Sequence, residues 1–458
     1  MKRILIRSGQ SPLDNFSPAE VITRDSIGSN SGNLLYSYGI IKTIMVDENT
    51  IVVPDYYRYE KYFVSQKEAD EISEKFDCYI IPLADAFREN FIPGLNRLTD
   101  FVKKLKIPCF LTGAGIKAPI DADINEPFVF DDDVKKFITA VLEKSAIVGV
   151  RGEITSAYLS RLGFKEDSLQ MAIGCPSMYI NGRDLKVREL NLKNDSKICV
   201  NNTYYTTDNV KKFMTRVMNE FPNYYYIPQL TRELKATYLG SPYKNTNEEN
   251  FPTQMYHPAF YNNRTRFFVN VPTWREFASD AALSIGPRLH GNVVPTIAGT
   301  PSLIIPKDSR MKELTTYHNF AHIMATEIND NKNPIDIIEK ADFQSVVRSH
   351  GANFDRYIGF MEKNGIDHIY NNQYENNLYP LDKKITKLDL VQGVDVITGH
   401  SLEDMIERWN NYFPLEESAY EKLKASKTKI IKIKEPEDKF ANIVKKRVKR
   451  KLKKLTNR

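Results

Sequence analysis

Residues 282–305 read ALSIGPRLHGNVVPTIAGTPSLII. The apolar run Ala282 to Ile285 stops at Gly286-Pro287, a helical stretch follows from His290 to Ile297, and Ser302 to Ile305 is again short and apolar. Strand, turn, helix and strand in close succession are the repeating unit of a parallel sheet covered by helices. In such sheets the C-terminal strand ends face the ligand crevice, and a helix N-terminus there offers free N–H groups and partial positive charge to an anion. Within Gly286-Pro287-Arg288-Leu289-His290-Gly291, Arg288 suits a bidentate clamp on phosphate or carboxylate. His290 suits a proton shuttle near neutral pH. The competing structural reading pairs the arginine with a neighbour and lets the histidine cap the helix.

The same rhythm runs outward from this unit. Upstream, Lys2 to Ile6, Tyr79 to Pro82, Pro108 to Thr112 and Ile147 to Val150 read as strands, separated by helices at Leu95 to Leu105 and Asp132 to Lys144 and followed by one at Thr155 to Leu162. A second unit opens with strand Lys197 to Val200, helix Asp208 to Phe221 and strand Tyr224 to Ile227. The expected fold is α/β, with two facing Rossmann-like halves. The expected organisation is a first domain over 1–182, a polar linker over 183–196, a donor-binding domain over 197–330, a helical extension over 331–415 and a basic tail over 416–458. Thr231 to Arg266 reads as a long Tyr-, Asn- and Pro-rich loop, longer than most structureless connections and so a functional insertion.

A chain of 458 residues is long enough for two to three domains at about 150 residues each. Its apolar share of 41% and charged share of 27% place it with ordinary globular proteins and exclude the disordered and collagenous classes. No apolar run reaches the roughly 18 residues of a membrane span. At the N-terminus Arg7 interrupts Ile4-Leu5-Ile6 at once, so this reads as a strand rather than a signal peptide. Cys78, Cys109, Cys175 and Cys199 show no metal spacing, which fits a reducing cytosol. The net charge of +6 is uneven. Lys439 to Arg458 carries ten Lys/Arg and no Asp/Glu, leaving 54 minus 58, or −4, for residues 1–438. Phe440, Val444, Val448, Leu452 and Leu455 recur at helical steps through that tail. The pattern is a basic amphipathic helix suited to an anionic membrane surface, and the expected location is peripheral at the inner face of the plasma membrane, with a plain solvated tail as the competing reading. With no basic face on the body, nucleic acid is not expected as a partner.

Further polar residues fall at strand ends. Arg151, in Val150-Arg151-Gly152-Glu153, is a second cation at a strand terminus, and two facing halves would let it share one anion with Arg288. Ser26 to Asn33, reading SIGSNSGN, and the turn holding Gly113 and Gly115 permit close backbone approach by a ligand. They lack the spacing of a dinucleotide or ATP loop. His318 and His322 stand at i, i+4 but without the HExxH glutamate, so no metal and no cofactor are expected. No nucleophile elbow and no glycosidase carboxylate pair is present.

Taken together, these blocks resemble the polysaccharide pyruvyl transferase family. The resemblance spans roughly residues 10–305. It rests on Ser26 to Asn33, Gly113 to Gly115, Val150-Arg151-Gly152, Gly174-Cys175-Pro176, Ala278-Ser279-Asp280, Gly286 to Gly291 and Gly299-Thr300-Pro301. It implies two facing Rossmann-type domains in the GT-B arrangement, phosphoenolpyruvate as donor, and a pyruvate ketal on a sugar of a cell-surface polysaccharide as product. Carried over residue by residue, it implies catalytic roles for His290, Arg288 and Arg151. It implies donor contacts from Leu289, Gly291, Asn30, Gly32, Asn33, Gly113 and Gly115. Asp280 and Glu153 are the carboxylates nearest the motifs and the candidates for acid/base work. Where the family's amino-terminal turn often ends in Gly-Asp, this chain has Gly32-Asn33.

The glycan acceptor, polymeric or lipid-linked, is expected against the insertion, where Tyr238, Tyr243, Tyr256 and Tyr261 would stack on sugar faces. Fold does not fix the donor. A GT-B-type glycosyltransferase using a nucleotide sugar, with Asp308 and Glu313 as ribose candidates, therefore stands as the alternative.

Overall fold

The structure, a computed structural model, describes residues 2–120, 122–244, 248–374, 378–422 and 424. The strands are β1 (Arg3–Ile6), β2 (Ile51–Pro54), β3 (Cys78–Pro82), β4 (Cys109–Thr112), β5 (Val148–Val150), β6 (Gln170–Ala172), β7 (Ile198–Val200), β8 (Tyr224–Tyr226), β9 (Leu283–Gly286) and β10 (Ser302–Ile304). Every pairing between them is parallel. The first sheet has the order β2-β1-β3-β4, and the β5-β6 pair extends it through a parallel bridge between Ala114 and Val150. The second sheet has the order β10-β9-β7-β8. Both halves share one topology: the chain enters on an inner strand, adds a neighbour on one side, then crosses to the other. That crossing leaves a crevice between the C-terminal ends of β1 and β3, and a second between β7 and β9. Ligands of open α/β sheets bind at such points.

The strands are short but almost wholly buried. In the first half Leu5, Tyr79, Ile81, Leu111 and Val148 pack against Leu98, Phe101 and Phe137 of the covering helices. In the second, Ile198, Val200, Leu283, Ile285 and Leu303 pack against Val210, Phe213 and Val217. Each such aliphatic side chain contributes about 1.5–3 kcal/mol on burial. The helix Gly32–Ile44, which follows the SIGSNSGN turn, is buried at nearly every position. A Cβ on Gly39 would lie 2.7 Å from the Pro176 carbonyl oxygen, so this glycine lets the Gly174-Cys175-Pro176 turn close on the helix.

The stretch from Thr231 departs from the structureless insertion expected there, because it begins with the helix Thr231–Leu239. The cause is Glu233, whose carboxylate accepts the backbone N–H groups of Gln229 and Leu230 at 2.9 and 2.8 Å and so caps the helix start. The chain beyond residue 330 serves both halves. Helix Ser345–Lys363 returns to the first sheet, where Arg356 Nε donates to the Ala172 carbonyl at 3.1 Å. Lys42 on the buried helix pairs with Asp382 at 2.8 Å, and Val394 forms an antiparallel bridge with Phe267 beside the second sheet. Met1–His400 accordingly forms one compact unit, and a second starts at Ser401 with a helix over 402–422. Lys439 to Arg458 lies outside the described residues.

The Lys42 ammonium is only 6% exposed, so its partner offsets a large desolvation cost. Asp382→Ala leaves that charge buried and unpaired, and the expected loss is about 3 kcal/mol, read from the urea midpoint. Lys42→Met combined with Asp382→Leu should recover most of it.

Candidate active site

A cavity of about 850 Å³ opens over the C-terminal ends of β1 and β3, at the first switch point. Arg7 and Ser8 follow β1 into its wall, and Leu83 to Ala86 follow β3. The SIGSNSGN turn supplies Asn30 and Asn33 to the lining, and the buried helix supplies Tyr36 and Ser37. The second half contributes His290 and Arg310. The seam between the halves is stitched beside the cavity. Ser31 N–H donates to the Gln229 carbonyl at 2.8 Å, Gln10 Nε2 to the Val269 carbonyl at 2.9 Å, and Thr231 Oγ1 to Asp25 at 2.8 Å.

His290 reaches the cavity because Gly32 has no side chain. A Cβ there would stand 2.6 Å from His290 Nδ1. On its other edge Nε2 lies 3.7 Å from Cys175 Sγ. Enclosure by protein, followed by the positive charges of Arg151 and Arg310, lowers the imidazole pKa to about 3. The ring is therefore neutral at pH 7 when no anion is bound.

Arg151 is 1% exposed, with its guanidinium carbon 5.6 Å from the Tyr36 ring centroid. Gly113 makes room for the Tyr36 hydroxyl, which donates to the Thr112 carbonyl at 2.7 Å, and Gly115 makes room for the Arg151 stem. Arg151 Nε and Nη2 have no hydrogen-bond partner among the described residues. A buried guanidinium with idle donors carries a cost of several kcal/mol, which the nearby carboxylates of Glu313 and Asp85 offset in part.

The cavity lining is cationic overall, with Arg7, Arg24, Lys61, Arg88 and Arg310 against Asp25, Glu60 and Asp85. Arg310 and Arg88 hold Asp85 between them at 3.2 and 2.5 Å. Burial alone would raise the Asp85 pKa, but Arg310, Arg88, Lys117 and Arg151 together hold it below the usual carboxylate range. Arg7 pairs with Glu60 at 2.5 Å and lies 4.9 Å over the Tyr57 ring.

Arg288 is not among the cavity-lining residues. At the second switch point its Nη2 donates to both Glu233 oxygens at 2.9 Å, and its Nε donates to the Asn202 carbonyl. Both members of this pair are buried. The turn around it is braced by Asn292, whose amide donates to the carbonyls of Gly286 and Arg288 at 2.9 and 3.0 Å. Leu289 is buried beside it. The signature glycines serve contact with the end of β7. A Cβ on Gly286, at φ +148°, would lie 1.9 Å from the Asn201 carbonyl oxygen, and one on Gly291 would lie 2.5 Å from Gln229 Nε2.

Of the residues expected from the sequence, His290, Asn30 and Asn33 line the cavity, Gly32 lies under the His290 ring, and Arg151, Gly113 and Gly115 pack around Tyr36 behind the lining. Asp280 lies elsewhere, exposed and paired with Lys197 at 2.5 Å. Glu153 is exposed on the helix after Arg151. Tyr238 and Tyr243 are buried, Tyr256 and Tyr261 are exposed, and none of the four lines the cavity. His318 accepts the Cys175 N–H at 2.9 Å, while His322 Nδ1 lies 2.8 Å from the Phe320 carbonyl. Arg7, Asp85 and Arg310 were not anticipated, although the rule that singled out Arg151, a charge just past a strand, applies equally to the first two. Glu313 was named only as a ribose candidate. It is buried with a pKa raised to about 7, chiefly by burial, and accepts from Thr155 N at 2.6 Å and Oγ1 at 2.9 Å beside Arg151.

The Gly286 contact is directly testable. Gly286→Ala combines a backbone angle hostile to L residues with a clash against main chain, at an expected cost of about 3 kcal/mol or more. Thermal unfolding should report it as a clear drop in Tm.

The polysaccharide pyruvyl transferase family model matches residues 30–309, a span that begins within the SIGSNSGN turn and contains Arg151 and the whole Gly286–Gly291 turn. No curated protein matches the sequence. Solved structures similar to this chain include Staphylococcus aureus (S. aureus) MnaA with UDP, at 11% identity and TM-score 0.38, covering 79% of this chain and 96% of that one. Anabaena HepE with UDP and glucose is 11% identical with TM-score 0.37, covering 80% and 97%. Methanocaldococcus jannaschii UDP-GlcNAc 2-epimerase is 12% identical with TM-score 0.38, covering 79% and 99%. With the family model spanning more than half of the sequence and its signature turns built into one two-sheet site, the chain belongs to the polysaccharide pyruvyl transferase family and is a transferase.

Proposed function

We propose that the protein transfers the pyruvyl group of phosphoenolpyruvate to two hydroxyls of one sugar in a cell-surface polysaccharide or its lipid-linked precursor. The observation that carries this reading is a cationic cavity lined by a neutral His290 together with Arg310, Arg7 and Arg88, with buried Arg151 behind Tyr36 adding its field. A small trianion is the kind of ligand that a cavity of net positive charge favours.

The chemistry balances around these residues. C2 of the donor gains two C–O bonds to the sugar and loses its bond to the phosphate oxygen, while the C3 methylene takes up one proton and becomes a methyl group. Donor binding places negative charge beside His290, which reverses the effect of Arg151 and Arg310 and protonates the ring. His290 then delivers its proton to C3, and Arg310 holds the phosphate and the carboxylate, with the field of Arg151 behind Tyr36, through the oxocarbenium-like stage. One hydroxyl proton leaves with phosphate and the other returns to His290, so the ring ends as it began. Arg288 supports the site through the Glu233 pair that fixes the Gly286–Gly291 turn.

Phosphoenolpyruvate should raise the Tm by mass action, and UDP-, GDP- and CMP-sugars should not. Arg310→Ala should weaken that response by roughly 10- to 100-fold in apparent Kd, the value of a charge-assisted contact. Titration calorimetry at pH 7 in buffers of different ionisation enthalpy should show proton uptake on donor binding, and His290→Ala should show none. Stabilisation by one nucleotide sugar alone would instead make the protein a glycosyltransferase.

Among the described residues no helix is long and apolar enough to cross a membrane. The ten cations and apolar stripe of Lys439 to Arg458 support a peripheral position on the anionic cytoplasmic leaflet, near lipid-linked acceptors. Deleting Lys439 to Arg458 should reduce co-sedimentation with phosphatidylserine vesicles at low salt. Undiminished sedimentation would remove the tail from this account.

A further inference from the structure

The cavity is far larger than a three-carbon donor needs, since about 850 Å³ lies in the upper part of the roughly 300–1,000 Å³ occupied by much larger ligands. His290 and Tyr36 form its enclosed end. Its rim is made of different residues: Tyr56, which is 42% exposed, Tyr57 behind it, and the exposed cations Arg24 and Lys61. Tyr56 and Tyr57 are consecutive and both lie in the left-handed region, at φ +52° and +55°. Such backbone costs about 1–3 kcal/mol per bulky residue and persists only where its surroundings enforce it.

Those surroundings are specific. Asp55, itself buried, accepts the Tyr57 N–H at 2.8 Å and the Tyr79 hydroxyl at 2.8 Å. The Tyr57 ring occupies space that Gly28 leaves free, as a Cβ there would stand 2.6 Å from the ring. Arg7 covers the ring, and the Tyr56 hydroxyl is tied to Asp14 at 2.7 Å. Two strained tyrosines are thus held at the mouth of a cavity whose inner end is suited to the donor.

We infer that this rim is the acceptor subsite and that it takes a saccharide carrying a negative charge, its ring packed on Tyr56 and its phosphate or carboxylate met by Lys61, while Arg24, paired with Glu20 at 2.8 Å, borders it. Aromatic rings pair an apolar face with a polar tip, which suits the mixed surface of a sugar. The assignment moves the acceptor from the Tyr238–Tyr261 stretch to the first half of the chain. It rests on the proposed pyruvyl transfer only in naming the sugar as acceptor.

The test is saturation-transfer NMR and calorimetry on the full-length protein, with the methyl glycosides and 1-phosphates of glucose, galactose and mannose and with inorganic phosphate. At least one sugar phosphate should bind, and about tenfold tighter than its methyl glycoside. Tyr56→Ala should weaken it by five- to tenfold, and Lys61→Gln should abolish the preference for the phosphate. Neither variant should alter the Tm response to phosphoenolpyruvate, and both change surface side chains, so folding should be preserved. Equal binding of phosphate and glycoside, no binding by any sugar, indifference to both variants, or loss of donor response in them would each overturn the assignment. Binding of inorganic phosphate at the affinity of the sugar phosphates would overturn it too. Absence of any donor response in the wild type, with sugar binding as described, would overturn pyruvyl transfer and leave the subsite standing.

Discussion

The site depends on one close approach between the two halves, the seating of the His290 ring over Gly32. The contact exists only because position 32 has no Cβ, and it brings a titratable ring from the second sheet onto the helix that follows the first sheet's leading turn. Around it, Ser31 to Gln229 and the Asn30–Leu230 bridge fix the register of the halves. A substituent at Gly32 would push the ring away from the same cavity that Asn33 and Tyr36 line. Fold and chemistry are therefore coupled at a single atom's worth of space.

Charge organisation follows from that placement. Cations paired with carboxylates, such as Arg288 with Glu233 or Arg7 with Glu60, brace turns and largely cancel their own fields. Arg151 has no such partner on Nε or Nη2, and its field depresses the basicity of His290 and opposes the rise of Glu313. Its charge adds to the net positive field of the cavity lining. Glu313 adds a second-sheet group at the base of the Arg151 turn, where its carboxylate caps the following helix and a Cβ on Gly152 would crowd its side chain to 2.7 Å. Arg151 is thereby held from both halves at once.

Much of this architecture was legible in the sequence where short apolar runs alternate with amphipathic helices. Strands β3, β4, β9 and β10 and helix Asp208–Glu220 fall within a residue or two of the reading. The helix Gly32–Ile44 was not legible, because a helix buried on all sides has no polar face and so no 3.6-residue period to detect. Strand β2 was hidden by its brevity and its half-buried edge position. Of the site, the glycines and Arg151 were legible because turns at strand ends need small residues and ligands need charges. Arg310 was not, since its role arises from a pairing with Asp85, 225 residues away, that no local pattern carries.

The Arg-Leu-His-Gly turn shows why a motif is not a list of ligand contacts. Its arginine is consumed by Glu233 at 8% and 3% exposure, and its second glycine admits Gln229 and Asn201. Only the histidine faces the cavity. The turn's sequence is constrained chiefly by how it must close against β7 and the Thr231–Leu239 helix, and the reward for that closure is the angle at which His290 leaves it. Breaking a buried arginine–carboxylate pair costs about 3–5 kcal/mol, so replacing Arg288 would disturb chemistry through the turn even though its guanidinium points away from the cavity. Loss of function on mutating a signature arginine therefore does not by itself place that arginine on the substrate. Neither strand-end arginine lines the cavity: Arg288 is spent on Glu233, and Arg151 lies behind Tyr36, so each acts on the site through the groups it holds.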